Sequence, residues 1–313
     1  DMSLREFEYV QAIAKYQNIT RAADSLYVGQ PTLSKFLKNL EKELGVTLFR
    51  KAGHKYYLTY AGDRYLEKAE RILQMKTELD MEMADIVKRN VGVLRLGLPA
   101  MRCTYLLPQV LPAFQKLYPN VQIRITEGSS GNLDKKLENS EIDLAFYNQS
   151  HGAQNPLLET EVLAHEELLI CMKKGHPLSR FAKPNPASRY PKLDVRLLQN
   201  EMVLMMTKDQ RTRQAVDAYL KRENIVLNNT LQTSSIPAIM ELISKGYGVG
   251  FVFEPHIKSH HFSEPVECFS FGEPKMLYAM VVASRAGGYL PTYAQDFIRL
   301  TKELYIALLE EEA

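Results

Sequence analysis

The stretch from residue 20 to residue 49 constrains the fold of this chain most, because it reads as two short helices joined by a tight turn. Residues 20–26 predict a helix with Thr20 as its N-cap, and the turn Tyr27-Val28-Gly29 ends it. A second helix has Pro31 in its first turn and stops at Gly45. Two helices joined by a short turn that contains glycine are typical of the helix-turn-helix.

The second helix is amphipathic. Its apolar stripe is Leu33, Leu37, Leu40 and Leu44, at the spacing of one helical face. In a helix-turn-helix this helix enters the major groove of DNA, where Gln can bond adenine, Lys can reach guanine, and Ser or Thr can bond either. The sequence therefore predicts a DNA-contacting set formed by Gln30, Pro31, Thr32, Ser34, Lys35 and Lys38. An ordinary two-helix corner with a solvated lysine face explains the two helices equally well.

Residues 48–59 predict a β-hairpin wing with its turn at Ala52-Gly53-His54-Lys55. A wing lies against the DNA backbone or the minor groove, so Lys51, His54 and Lys55 are expected to position the protein rather than to specify bases. Between Lys35 and Lys55 there are six basic and two acidic residues, a local charge of +4, whereas the chain from Val91 onward carries 24 of each sign. Such a basic patch on one small domain is typical of a phosphate binder.

One long helical pattern, residues 60–90, follows the wing. Its apolar positions repeat at alternating spacings of four and three, as in a coiled coil. The predicted seam is Tyr65, Ala69, Ile72, Lys76, Leu79, Met83 and Ile86, broadened by Leu66, Leu73 and Val87, with Lys76 as a polar interruption. The pattern favours a homodimer, because a DNA reader of this kind needs two-fold symmetry to match two half-sites. A long helix packed on its own chain is the alternative.

From Val91 onward strands and helices alternate, which predicts a mostly parallel α/β sheet. The chain leaves one lobe, builds a second and returns, which places lobe I at about 91–162 and 268–313 and lobe II at about 163–267. The predicted fold class is a multidomain combination of α+β and α/β. Its domains are a winged helix-turn-helix at 1–60, a linker helix at 61–90 and a two-lobed domain at 91–313.

Residues 3–73 resemble the N-terminal domain of the LysR-type transcriptional regulators. The resemblance rests on LREFEYV (4–10), TRAADSLYV (20–28), QPTLS (30–34), LEKELGVTLF (40–49) and Leu58-Thr59 with Ala61-Gly62. It implies a linker helix that dimerises, tetramers, a periplasmic-binding-protein-like effector domain, and an interrupted palindromic operator in double-stranded DNA. Contact with RNA polymerase is a further expectation. The chain has Gly29 and His54 where the family usually has Ser and Arg.

The effector site is expected beyond the carboxyl ends of the strands, where open α/β sheets bind ligands. Those ends are rich in hydroxyls, helix N-termini and guanidinium groups, which suit a small anionic or carboxylate-bearing effector. The predicted set is Met101, Arg102, Ser129, Ser130, Tyr147, Asn148, Thr207, Arg211, Ser234 and Phe253. The resemblance separately implies Met101, Ser130, Thr207 and Ser234. Plain N-capping is the alternative role of Ser130 and Ser234.

No catalytic motif is recognisable, so the chain is not expected to be an enzyme. A solute-binding protein or an enzyme with an appended helical domain is the competing class. His256, His260 and His261 have metal-like spacing, but no cysteine or carboxylate cluster completes a site, so neither a metal nor another cofactor is expected. No apolar run is long enough to span a bilayer, and the N-terminus lacks the apolar core of a signal peptide.

The three cysteines, Cys103, Cys171 and Cys268, are far apart in sequence. Their odd number and wide spacing argue against a disulfide framework and favour a reducing cytoplasm. Cys103 lies near the predicted effector site, where the alternatives are a redox sensor and simple packing.

Overall fold

The computed structural model divides the chain into two units, Asp1–Lys88 and Arg89–Ala313. It describes residues 3–87, 90–149 and 154–310. The first unit contains the helix pair, the wing and the linker helix. The second contains the alternating strands and helices.

The first unit has three helices and a hairpin before one long helix. These are α1 Leu4–Tyr16, α2 Ile19–Ser25, α3 Gln30–Leu44, β1 Phe49–Ala52, β2 Lys55–Leu58 and α4 Tyr60–Ile86. In the hairpin Ala52 pairs with Lys55, so Gly53 and His54 form a two-residue turn, and Gly53 takes the positive φ that such turns require. The predicted helix-turn-helix and wing are confirmed.

The N-cap of α2 differs from the prediction. The helix begins at Ile19, and the side chain of Asn18 accepts a hydrogen bond of 2.9 Å from the backbone N–H of Arg21. Asn and Thr are both good N-caps, so the pattern fits two neighbouring starts, and Thr20 falls inside the first turn. The end of α3 is as expected, because Gly45 adopts φ +69°.

The start of the wing is held by helices on both sides. The Glu41 carboxylate on α3 accepts hydrogen bonds from the backbone N–H groups of Leu48 (2.7 Å) and Phe49 (3.1 Å). On the side of α4, a Cβ on Gly62 would lie only 2.0 Å from the carbonyl oxygen of Leu48. Only glycine therefore lets the first turn of α4 approach the start of the wing this closely.

The two halves of α4 have different environments. In the first half Ala69 is buried and Tyr65 packs against Phe7 of α1, so the predicted seam is wrong there: these residues serve the core of their own chain. In the second half Lys76 is exposed and ion-paired with Asp80. The exposed apolar row, between 38% and 68% exposed, is Ile72, Met75, Leu79, Met83 and Ile86. Met75 thus stands where the prediction placed Lys76. Residues 88 and 89, at the predicted end of the linker, lie outside the described residues.

The second unit is built on a nine-stranded sheet. Its strands are β3 Gly92–Leu98, β4 Val121–Glu127, β5 Leu144–Asn148, β6 Leu158–Lys173, β7 Met202–Met206, β8 Asn229–Thr233, β9 Val249–Phe253, β10 Val266–Phe269 and β11 Leu277–Arg285. Its helices are α5 Ala100–Leu117, α6 Ser130–Glu138, α7 Arg211–Arg222, α8 Ile236–Ser244, α9 Glu254–Ser259 and α10 Thr292–Glu310. The spatial order is β4-β3-β5-β11-β6-β9-β7-β8, with β10 also paired to β6.

The sheet forms two lobes. Lobe I is the half around β3, β4 and β5, and lobe II is the half around β7, β8, β9 and β10. In lobe I, β3 pairs in parallel with β4 and β5, and in lobe II, β7 pairs in parallel with β8 and β9. β5 pairs antiparallel with β11, and β9 and β10 pair antiparallel with β6. The predicted α/β lobes with a returning chain are confirmed. The expectation of a mostly parallel sheet is wrong, because half of the strand pairs described in this sheet are antiparallel.

The strand that crosses between the lobes is longer than predicted. The sequence predicts a strand only at 167–172, but β6 runs for 16 residues, from Leu158 to Lys173. Its first half pairs with β11 and its second half with β9 and β10. β6 therefore belongs to both lobes, and β11 accompanies it through lobe I.

Candidate DNA interface and effector site

The exposed face of α3 carries the side chains that the sequence predicts to contact bases. Gln30 and Pro31 form the first turn, after Gly29 as N-cap, and the leucines of the opposite face are buried up to Leu40. A helix in the major groove presents its N-terminal residues to base edges, and this end of α3 is open to solvent. Of the predicted residues Ser34 is half-buried. The other five are exposed: Gln30, Pro31, Thr32, Lys35 and Lys38.

The wing adds further exposed basic groups, Lys51, His54 and Lys55. The Lys51 ammonium lies 5.7 Å from the centre of the Tyr56 ring. This cation–π contact restrains the side chain without neutralising it. Within residues 3–87, none of the lysines at 35, 38, 51 and 55 forms an ion pair, so their charges are available for phosphates.

Two exposed residues of this surface were not predicted as contacts. Tyr27, in the turn between α2 and α3, is 98% exposed and has φ +55°. Arg50 on β1 lies 5.7 Å from the centre of the Tyr57 ring. The signal for Tyr27 is available in the sequence, because a large ring in a three-residue turn has no core to enter.

A cavity of about 440 Å³, here called the cleft cavity, lies where the carboxyl ends of strands from both lobes converge. The first turns of α5 and α8 and the N-cap of α6 border it, and free backbone N–H groups at helix starts attract anions. Its walls are Pro99, Ala100, Met101, Thr104, Glu127, Gly128 and Ser129 from lobe I, and Met206, Gln210, Ser234, Ser235, Ile236 and Pro237 from lobe II.

Three of the predicted effector residues line the cleft cavity: Met101, Ser129 and Ser234. The Ser129 side chain caps α6 by accepting from the backbone N–H of Asn132. The Thr207 hydroxyl, more than that of Ser129, lowers the pKa of the exposed Asp209 below its ordinary value. Thr207 follows Met206 of the cavity wall but is not itself in that wall.

Arg102 does not present a free guanidinium to this cavity, contrary to the prediction. It is 1% exposed and forms a two-pronged ion pair with Glu166, at 2.8 Å and 3.1 Å. Asn148, also predicted to bind the effector, is buried in the same cluster and accepts a 3.0 Å hydrogen bond from Arg102. The helix turns Arg102 towards the sheet, where a charge is tolerated only with a partner.

The Arg102–Glu166 cluster also includes Tyr305 of α10, whose hydroxyl hydrogen-bonds to Glu166. Burial alone would raise the pKa of Glu166, but the Arg102 guanidinium and the hydrogen bonds outweigh burial and hold that pKa below its ordinary value. Glu166 thus remains charged inside the protein. Removing one partner of such a pair typically costs about 3–5 kcal/mol, because the other charge is left buried alone.

Tyr147 and Arg211 lie together at a different cavity of about 560 Å³, here called the side cavity. Arg211, at the start of α7 in lobe II, pairs with Asp134 of α6 in lobe I at 2.9 Å, and the Tyr147 hydroxyl donates to the same carboxylate. Arg211 also donates to the carbonyl oxygen of Asn148 at 3.3 Å. These residues hold the lobes together at their side and are not in the walls of the cleft cavity.

The remaining predicted effector residues are buried. Ser130 is the first residue of α6, and Phe253 ends β9 and packs against Tyr278. Cys103, the alternative redox sensor, is half-buried, and burial followed by the nearby Glu127 raises its pKa to about 11. A thiol with that pKa is protonated near neutral pH and is a poor nucleophile, which argues against the redox role.

The histidines do not converge on a metal. His260 hydrogen-bonds to Glu241 at 2.7 Å, whereas His256 is buried against Tyr105 and Phe253. In the described part of the chain, no group of three or more His, Cys, Asp or Glu side chains is arranged to hold a metal ion. No helix within the described ranges combines the length and apolarity needed to cross a membrane.

His256 predicts a pH dependence of stability. Burial, followed by repulsion from Arg102, lowers its pKa from 6.5 to about 3. In the folded state it stays neutral, whereas in the unfolded chain it takes up a proton below pH 6.5. The contribution of His256 to the free energy of unfolding is therefore fully present above pH 6.5. It declines as the pH falls towards 3, by up to about 1.4 kcal/mol per pH unit.

Urea unfolding of the chain between pH 7 and pH 4.5 measures this dependence. We expect His256→Gln to flatten the decline in unfolding free energy, and the exposed His261→Gln to leave it as in the unchanged protein. Equal slopes in all three proteins would contradict the assignment to His256.

Comparison with known proteins assigns both units. Residues 4–63 match the family described as bacterial regulatory helix-turn-helix protein, lysR family, and residues 88–305 match the LysR substrate binding domain. A probable RuBisCO transcriptional regulator of Phaeodactylum tricornutum is 27% identical over 307 residues, which cover 96% of this chain and 97% of that protein.

Solved structures give the same result. A full-length OxyR variant from Pseudomonas aeruginosa is 25% identical with a TM-score of 0.72, covering 97% of this chain and 94% of that one. CbnR complexed with its target DNA is 20% identical with a TM-score of 0.61, covering 97% and 100%. The chain belongs to the LysR family and is a DNA-binding transcriptional regulator whose N-terminal winged helix-turn-helix precedes an effector-binding domain.

Proposed function

We propose that this regulator couples effector binding in the cleft cavity to the placement of two α3 helices on an interrupted palindromic operator. It acts where that operator is, in the cytoplasm. The observation that carries the DNA half of the proposal is the exposed N-terminal face of α3, flanked by lysines without an ion pair within the described residues. The alternative of an enzyme or solute-binding protein with an appended helical domain has no comparable support.

The proposed division of labour on DNA follows from position. Lys35 and Ser34 lie in the part of α3 that a groove-binding helix presents to bases, whereas Lys51 and Lys55 lie on the wing. Base contacts distinguish sequences and phosphate contacts do not. CbnR, a structural neighbour, is seen with its target DNA, which supports DNA binding by a chain of this fold.

Lys35→Ala is therefore expected to weaken operator binding by about 1–3 kcal/mol and to affect random DNA much less. Lys51→Ala should weaken both alike and reduce the salt dependence of log K by about one unit. Fluorescence anisotropy over a salt series measures both quantities. Lys221→Ala, which removes an exposed lysine from α7 of lobe II, is the matched control. If Lys35→Ala leaves operator and random DNA binding unchanged, α3 does not read this groove.

We also propose that the second half of α4 forms a homodimer. Its exposed apolar row, from Ile72 to Ile86, is a patch of a kind that monomers seldom leave open to water. The row follows the spacing of three and four that a partner helix fills. LysR-type regulators form oligomers. In the proposed assembly two such dimers combine into a tetramer, and the DNA-bound assembly contacts RNA polymerase.

Leu79→Asp places a charge in the middle of this row, where a partner would bury it at a cost of several kcal/mol. We expect light scattering to show the loss of one dimerisation step, together with loss of operator binding. Thr77→Asp adds the same charge about 160° away around the helix, outside the row, and should leave the oligomer intact. An unchanged oligomer in Leu79→Asp would exclude the proposed seam.

For the effector we propose a small anion or carboxylate that carries an apolar part. The three helix starts around the cleft cavity favour negative charge, and Met101, Met206 and Ile236 provide apolar walls. Glu127 in the same wall disfavours multiply charged anions. Closing the lobes on such a ligand is proposed to change the half-site spacing that the dimer can span.

A thermal-shift screen with small mono- and dicarboxylates identifies candidates, and calorimetry then tests the site. Ser234→Phe should fill part of the cleft cavity and abolish binding, and Ser234→Ala should weaken it by about 1 kcal/mol. Both should bind DNA normally without ligand. Thr160→Phe makes the matched change in the side cavity and should have no effect. The reverse pattern, with Thr160→Phe abolishing binding, would move the site to the side cavity.

A further inference from the structure

Cys171 and Cys268 lie directly opposite each other on neighbouring strands. Cys171 is on β6 and Cys268 is on β10, and the antiparallel register pairs the two residues. Their sulfur atoms are 3.6 Å apart. The two are free thiols, as the sequence predicts, but their wide spacing in the sequence conceals that they lie close together.

The register also determines how close the backbones are. The Lys174 N–H donates to the carbonyl oxygen of Pro265 at 2.9 Å, which makes this facing pair a hydrogen-bonded one. Hydrogen-bonded and non-hydrogen-bonded pairs alternate along an antiparallel ladder, so the cysteine pair, three positions further on, is non-hydrogen-bonded. Such pairs have Cα atoms about 4.5 Å apart, inside the range of about 4.4–6.8 Å found in disulfides.

The two thiols differ in access. Cys171 is buried in the core, whereas Cys268 is partly exposed. An oxidant in solution can therefore reach Cys268, and its neighbour is already in contact with the sulfur that would be oxidised. This is the arrangement of an attacking cysteine next to a resolving cysteine.

We propose that Cys171 and Cys268 are a modification site, which a hydroperoxide converts into a reversible disulfide. The Cys268 thiol gives up its proton and the thiolate attacks the peroxide. The O–O bond breaks, Cys268 becomes a sulfenic acid, and the departing hydroxide or alkoxide takes up the proton and leaves as water or an alcohol. The sulfur of Cys171 then attacks that of Cys268, the S–O bond breaks, and the leaving hydroxide takes the proton of the Cys171 thiol and departs as water while the S–S bond forms. Two thiols lose two electrons in total, and the peroxide gains them.

The disulfide would link β6, the strand by which the chain enters lobe II, to β10, the last strand of that lobe. The residues between the two cysteines include β7, β8, β9 and helices α7 to α9, which is most of lobe II. β6 brings the chain into this lobe, and β10 precedes its return to β11. A disulfide here restricts the unfolded chain by closing a long loop, so it stabilises lobe II against unfolding without occupying either cavity.

The test treats the reduced full-length protein with hydrogen peroxide under native conditions. We expect two of the three thiols to be lost, and peptide mass spectrometry to find residues 171 and 268 in one linked fragment that dithiothreitol separates. The oxidised protein should also unfold at a higher temperature than the reduced one. Cys103→Ser should behave in the same way, since Cys103 takes no part.

Two variants separate the steps. In Cys171→Ser the resolving sulfur is absent, so a sulfenic acid at Cys268 should accumulate and react with dimedone, with no rise in unfolding temperature. In Cys268→Ser the buried Cys171 should remain a thiol. If peroxide leaves both thiols free in the native protein, or links Cys268 only to other molecules, the proposal is overturned and the pair is a packing contact.

Discussion

Four elements of the effector domain meet around one buried ion pair, that of Arg102 with Glu166. The guanidinium comes from α5 and the carboxylate from β6, and Asn148 of β5 and Tyr305 of α10 complete the hydrogen bonds. Buried charges are costly unless such partners are all in place, so the cluster forms only when the four elements have their correct relative positions. Glu166 lies near the point where the pairing partner of β6 changes from β11 to β9. The cluster therefore fixes the position of β6 where this strand joins the two lobes.

Residues of the buried cluster stabilise the domain and do not line the cleft cavity. Arg102 and Met101 are neighbours on α5, yet one enters the interior and the other lines the cleft cavity. At the side of the lobes, Arg211 and Asp134 make a second cross-lobe ion pair that is partly open to solvent. The lobes are thus joined at their side by Arg211 as well as along the crossing strand β6.

The sequence predicts the first unit well because its determining interactions are local. Gly45, Gly53 and the leucine stripe of α3 each act within a few residues, and the structure has a helix end, a hairpin turn and a buried face at those positions. Where two local solutions are equivalent, as with Asn18 and Thr20 as N-caps, the pattern cannot choose between them. The first half of β6 was missed because its outward side chains are polar and resemble a loop.

The effector domain was harder to predict because its side chains are placed by distant partners. The partner of Arg102 is 64 residues away, and Cys171 and Cys268 are 97 residues apart. Sequence alone identifies a cationic group near a strand end but not whether a buried carboxylate already pairs with it. Lys76 on α4 is a milder case: it is exposed and ion-paired with Asp80, and Met75 takes its place in the apolar row.

The close approach at Gly62 has a mechanical consequence. Because the first turn of α4 touches the carbonyl of Leu48 with no side chain between them, the wing and the helix behave as one rigid body. A helix of 27 residues is about 40 Å long, so it works as a lever arm whose short end is the wing. For a helix of this length, a tilt of about 10° displaces the far end by about 7 Å, roughly two base steps along a duplex. The close packing at Gly62 therefore determines how far the wing moves when α4 tilts.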